Sequence, residues 1–354
     1  MFESLGFETL TPRTASILFG LGLGVLFGLL AELTRFCLRR AAIDTGASGR
    51  SARAIWTTAL AVAVIGTQAL VLTGLISFET HRFHAPTLPV LAIVTGGLIF
   101  GAGMVLTRGC LSRLAVLGAS GNLRALVVLG VAALAALATM KGVSAPIRHS
   151  LAAVEIAAPT LPTWSAALPA LLAALFIAQA RPTLRDLGLA GLLGALVPLG
   201  WLGTGFVLLD EFDPIAMESL SFTAPLADTL FWTAAASAVP GNFGTGLVGG
   251  VLLGAFLSAA LAGRFVWQGF EGASQMGRYL TGGAMMGIGG VLAGGCTVGA
   301  GLSGVATLSA SAMLALLSII AGSWLAARIE NRLSARSTYE PAAPQATPTT
   351  PQAA

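Results

Sequence analysis

Runs of about 20 apolar residues recur along this chain, broken by glycine, proline and short polar stretches rather than by regular turns. A helix of that length spans the ~30 Å hydrocarbon core of a bilayer, whereas a membrane barrel is built from short alternating strands. Composition agrees. Of the 354 residues 55% are hydrophobic and 10% are charged, against about 25% charged in a soluble domain. The mean hydropathy is +0.85. The chain therefore reads as an all-α integral membrane protein embedded in the lipid bilayer.

Nine spanning segments are expected, over 14–36, 54–78, 88–107, 123–140, 162–180, 187–209, 228–262, 277–295 and 308–327. The seventh is too long for one helix, and Pro240 with its neighbouring glycines should split it. The chain divides into a periplasmic segment 1–13, a membrane domain 14–328 and a disordered cytoplasmic tail 329–354, rich in Pro, Ala and Thr. The N-terminal stretch carries acids where a signal peptide would be basic. With nine spans and a cytoplasmic C-terminus, 15 of the 19 basic residues fall inside. Arg13, Arg82, Lys141 and Arg148 are left outside, together with the acidic loop of Asp210, Glu211, Asp213, Glu218 and Asp228. That asymmetry is the positive-inside rule and places the protein in the inner membrane, N-terminus periplasmic.

An internal repeat carries the chemistry. Residues 24–43, GVLFGLLAELTRFCLRRAAI, and 97–116, GLIFGAGMVLTRGCLSRLAV, share Gly, Phe, Gly, Leu, Thr, Arg, Cys, Leu and Arg in register. A third copy, GGAMMGIGGVLAGGCTVGAGLSG (282–304), is looser. Gly28, Gly101 and Gly287 each lie nine residues before a cysteine, and a fourth copy places Gly194 nine before Gly203. All three cysteines of the chain, Cys37, Cys110 and Cys296, thus occupy one place in the repeat. They lie 73 and 186 residues apart, which is no disulfide or zinc spacing. Membrane repeats put substrate sites at interrupted helices near the midplane. Broken backbone is tolerated there only when buried or lining a polar path. A thiol is a soft, weak S–H donor. Arginines beside Cys37 and Cys110 favour an anion over a cation. A soft metal ion remains open, since Met104, Met285 and Met286 are near in sequence. So does a membrane thiol oxidoreductase. No metal site, cofactor, catalytic residue or nucleic-acid partner is expected.

The stretches FCLRRAAID (36–44), TRGCLSRLAVLGASGNLRAL (107–126) and GGVLAGGCTVGAGLSGVATLS (289–309) resemble the YeeE/YedE family of sulfur-transport membrane proteins, over about residues 15–328. The resemblance implies an hourglass of nine spanning helices with short helices dipping inward. It implies thiosulfate uptake, or that of a related sulfur or selenium species, through thiols that correspond to Cys37, Cys110 and Cys296. The substrate would pass between them by transient S–H···S contacts, with Gly109, Gly295 and Arg108 as neighbours. A cytoplasmic TusA-like sulfurtransferase is the implied partner. Arg39, Arg40 and Arg113 stand where small residues are expected. Glu32 is expected to pair with Arg35, and Asn122 and Asn242 to cap helices.

Overall fold

The computed structural model describes residues 11–159, 163–210 and 213–338. The first ten residues, Glu211 and the chain beyond Thr338 lie outside the described residues. Thirteen α-helices are described: α1 (Pro12–Thr34), α2 (Leu38–Ile43), α3 (Gly46–Leu72), α4 (Val90–Leu106), α5 (Leu111–Ala119), α6 (Leu123–Lys141), α7 (Ala145–Ala152), α8 (Ala167–Ala180), α9 (Leu184–Leu202), α10 (Thr223–Ala234), α11 (Phe243–Leu261), α12 (Ala273–Leu292) and α13 (Ala310–Thr338). Among the described residues seven helical segments are long and apolar enough to cross a membrane. The two remaining expected spans correspond to the shorter apolar α8 and to the glycine-rich α12.

Local signals set most helix ends. The Asn122 side chain accepts from Ala125 N–H, and Asn242 forms a reciprocal capping box with Thr245, as expected. The expected long span splits into α10 and α11 around Pro240. One boundary differs. α3 stops at Leu72 although the apolar run continues to Phe78, because Gly74 turns left-handed (φ 71°) and Leu75 N–H closes onto Leu70 O at 3.1 Å. Residues 73–89 then fold back, burying Ile76, Phe78 and Phe83. The strand Thr87–Leu88 pairs antiparallel with Ile156–Ala157 over the start of α4. α13 also runs ten residues past the expected limit at 328.

The repeat glycines pack helix against helix. A Cβ on Gly28 (α1) would strike the Val251 carbonyl of α11; on Gly101 (α4), Ile319 of α13; on Gly194 (α9), Ala59 of α3; and on Gly287 (α12), Ala132 of α6. The four copies are thus four units, paired reciprocally. The first helix of each lies on the last helix of its partner, α1 with α11 and α9 with α3, α4 with α13 and α12 with α6. In α1 and α11 the stripe repeats every fourth residue, Gly20, Gly24 and Gly28 against Gly246, Gly250 and Gly254. Lipid tails are as apolar as leucine, so helices in a bilayer associate through close backbone approach. Gly194 makes the fourth copy genuine, although no cysteine follows it.

Candidate functional site: three thiols between two arginines

Three first helices end in the same manner. Arg35 (φ 51°), Arg108 (φ 59°) and Gly294 (φ 74°) are left-handed, each two residues before a cysteine. Phe36 N–H bonds to Ala31 O, and Gly109 N–H to Met104 O, both at 3.1 Å, which seals the first two ends. The chain then re-enters helix with cysteine at the N-cap, Cys37 for α2 and Cys110 for α5. An oxygen side chain at an N-cap would accept from the first-turn N–H groups. Neither thiol does. The third break leads into the π-helical turn Gly299–Gly304. In the fourth unit α9 has no left-handed stop and unwinds into a π-turn over Gly203–Val207.

These breaks bring the three thiols together. All are free, and they are 4%, 1% and 0% exposed at Cys37, Cys110 and Cys296. The Cys37 and Cys110 thiols lie within hydrogen-bonding reach of each other. Cys110 Sγ is 3.3 Å from Ser112 Oγ, and the Thr297 hydroxyl also reaches it. Cys296 Sγ accepts from Gly299 N–H at 3.4 Å, and the backbones of Val298 and Phe222 also bond to it. Thr297 therefore links the Cys296 turn to the Cys37–Cys110 pair. Among the described residues no group of three or more His, Cys, Asp or Glu could hold a metal ion.

A cleft opens on either side of the cluster, and no cysteine lines either one. They lie at opposite ends of α3, with Ser48 in one and Gln68 and Val71 in the other. The larger, about 1060 Å³, is lined by the folded-back 73–89 segment with Arg82 and His84, by Arg148 and His149, and by the facing ends of α12 and α13. The smaller, about 500 Å³, carries Glu32, Arg35, Arg40, Arg113 and Arg264. Arg82 acts electrostatically on Cys296 and Glu218, and Arg113 on Cys37 and Cys110. The resulting order is Arg82, Cys296, Cys110 with Cys37, Arg113.

Behind Arg82, and not itself lining the larger cleft, lies a buried group of His81, Trp201 and Glu218. Burial, with Arg82 and His84 nearby, lowers His81 to about 4, so it is neutral at pH 7. Burial raises the Glu218 carboxyl to about 7; Arg82 opposes this and Asp228 adds to it. The Trp201 ring stands edge-on to Phe78 and His81 at 5.1 and 5.2 Å, and its buried indole N–H has no partner among the described residues. His84 Nε2 contacts Thr307 O at 3.0 Å and ties the segment to the start of α13.

Several expected neighbours behave differently. The Arg108 side chain is exposed and lines neither cleft; its contribution is the left-handed turn. Gly109 is not sterically required, since a Cβ would meet only Leu114 and Arg113 side chains at 3.5–3.6 Å. Gly295 is required, because its Cβ would lie 2.8 Å from Ala300 N. Glu32 pairs not with Arg35 but with Arg264, 232 residues away, and also accepts from Ser258 Oγ at 3.0 Å. Arg82, Glu218 and Trp201 gave no local sequence signal. Arg113 did, standing in the repeat at the third residue after Cys110, as Arg40 stands after Cys37.

The chain is similar to the thiosulfate transporter TsuA of Escherichia coli (strain K12), 26% identical over 340 residues, covering 88% of this chain and 93% of the relative. It is also similar to the thiosulfate transporter TsuA of Spirochaeta thermophila, 28% identical over 336 residues, covering 88% and 98%. The sulphur transport family matches residues 33–325, from the end of α1 just before Cys37 to the middle of α13. With its broken helices and aligned cysteines, this multi-pass membrane protein belongs to the sulphur transport family.

Proposed function

We propose that this protein imports thiosulfate across the inner membrane, from the Arg82 cleft past the three thiols to the Arg113 cleft. The observation that carries the reading is the convergence of all three repeat cysteines between two clefts that each present an arginine. Taking a dianion out of water costs several kcal/mol per charge. A neutral hydrogen bond returns roughly 1 kcal/mol net, and a thiol is a weak donor. The thiols alone therefore cannot offset dehydration, and the guanidiniums at either end supply the attraction.

Each end has a defined task. Arg82 gathers the anion, and behind the cleft the Trp201 N–H, without a partner among the described residues, offers a further donor in place of water. Cys296, then Cys110 and Cys37, present S–H groups to the terminal sulfur one after another. Weak, repeated sites suit conduction, which needs binding firm enough to load and loose enough to leave. The thiols act protonated, because a thiolate would repel the dianion. In the proposed orientation the acidic Glu79, Glu155, Glu218 and Asp228 lie outside and Arg35, Arg40, Arg113 and Arg264 inside, as the positive-inside rule favours. A TusA-like sulfurtransferase would collect the anion at the inner cleft.

A test of substrate is uptake of sulfur-labelled thiosulfate by cells lacking their own thiosulfate importers. The reading expects accumulation above vector controls, competed by unlabelled thiosulfate. A selenium anion should compete if the soft terminal atom is what the path recognises, whereas Cu(I) should not compete, because the arginines repel it. Uptake no greater than in vector controls would refute the proposal. The contact between Cys37 and Cys110 also favours a second reading, a dithiol couple in a membrane oxidoreductase. That reading predicts turnover of a thiol substrate without net solute accumulation.

A further inference from the structure

Arg40 and Arg113 occupy the same place in two copies of the repeat, three residues after Cys37 and Cys110. The short helices α2 and α5 thereby deliver two guanidiniums into one cleft. Arg40 is held, donating to Arg35 O at 3.1 Å and Ser48 Oγ at 3.0 Å. The Arg113 guanidinium has no hydrogen-bond or ion-pair partner among the described residues, and besides the Cys37 and Cys110 thiols the side chains acting on it are Arg40 and Glu32. A cation half-buried behind the thiols, kept beside a second cation and left unpaired, is a poor structural device. It is a good anion site.

Glu32 stands in the same cleft. Its carboxylate is held by Arg264 at 2.6 Å and Ser258 at 3.0 Å, and its side chain is 13% exposed. α1 carries Glu32 one turn before the break that positions Cys37, while Arg264 follows the end of α11. An internal carboxylate thus already uses one arginine of the cleft and sets a negative charge against any anion on the others.

We propose that Arg113 and Arg40 form an exit station for a divalent oxyanion, and that Glu32 is a built-in competitor that keeps the station weak so that the anion leaves. The inference rests on the transport reading only for the direction of travel; the site itself requires nothing but oxyanion binding. Without Glu32, Arg264 is freed and a repulsion is lost. With one like charge removed from a dianion at about 8 Å in a wet cleft, binding should tighten about tenfold.

The test uses the full-length protein, purified in detergent in a chloride-poor buffer, with sodium sulfate as probe because sulfate lacks the soft terminal atom the thiols read. Glu32→Gln and Arg264→Gln break the same ion pair. A purely structural role for that pair predicts equal effects from the two. The exit station predicts opposite signs: Glu32→Gln binds sulfate about tenfold tighter, and Arg264→Gln binds it more weakly. In the Glu32→Gln, Arg113→Gln double variant the gain disappears. Equal shifts, no shift, or a gain that survives loss of Arg113 would overturn the proposal. Thiosulfate uptake measured on the same variants stands apart. If the wild type binds sulfate as described but takes up no thiosulfate, the transport reading fails and the anion site remains.

Discussion

A methyl group on Gly28 is the sharpest perturbation of the helix pairing. Built there, the Cβ stands 2.8 Å from Ala255 N and closer still to the Val251 carbonyl oxygen. Carbon contacts settle at about 3.5–4.0 Å, so α1 and α11 must separate by roughly 1 Å. The obstacle is backbone, which no rotamer change relieves. Overpacking of this kind costs about 1–3 kcal/mol. Gly22, on the same helix, is the internal control, because a Cβ there meets nothing within 4 Å. Replacing that glycine by alanine in a helix gains about 0.5–1 kcal/mol. The two variants should therefore differ by about 2 kcal/mol or more, with opposite signs. Thermal unfolding of the purified protein reads this directly, Gly28→Ala melting several degrees below Gly22→Ala. Gly28 lies nine residues before Cys37, so uptake should fall with the former and persist with the latter. Equal melting of the two would refute the idea that the repeat glycine exists for backbone approach.

Other outcomes follow from the site. Arg82→Gln should cut thiosulfate uptake at least tenfold by raising the half-saturating concentration, while Arg82→Lys retains part of it. Glu218 ionises near pH 7 beside Arg82; protonation removes a repulsion, so half-saturation should fall as pH drops from 8 to 6, and Glu218→Gln should flatten that profile. Arg108→Gly relieves a left-handed non-glycine residue, worth about 1 kcal/mol, and should raise the melting temperature with uptake unchanged; loss of uptake would return the Arg108 side chain to the path. Asn242→Ala removes a capping box and should cost about 1 kcal/mol of stability, read by the same melting assay.

Much of this was legible in the sequence because it is local. A left-handed residue, one spacer and a cysteine form a three-residue pattern, and the runs RFC, RGC and GGC show it. Glycine spacing announced the helix contacts, and the asparagines announced their caps. What the sequence could not show is encoded in pairs remote along the chain. Glu32 meets Arg264 because the glycine stripes lay α1 along α11, and no local signal exists for that choice over Arg35. Arg82 acts on Cys296 because Gly74 ends α3 early and the following apolar residues are buried back into the protein rather than extending the span. Hydropathy reads both outcomes as the same apolar run. The exposed Arg108 errs in the opposite direction: proximity in sequence to Cys110 said nothing about where its side chain points once the turn is left-handed.

The central claim is that the buried thiols are the path. Its most direct test is uptake of labelled thiosulfate into vesicles reconstituted with wild type, Cys37→Ala, Cys110→Ala or Cys296→Ala at matched protein and matched melting temperature. The account predicts that each alanine variant folds and loses most of the uptake, because removing any one thiol leaves a gap in the relay. Alanine variants that transport like the wild type would show the three cysteines to be packing residues, and would contradict it.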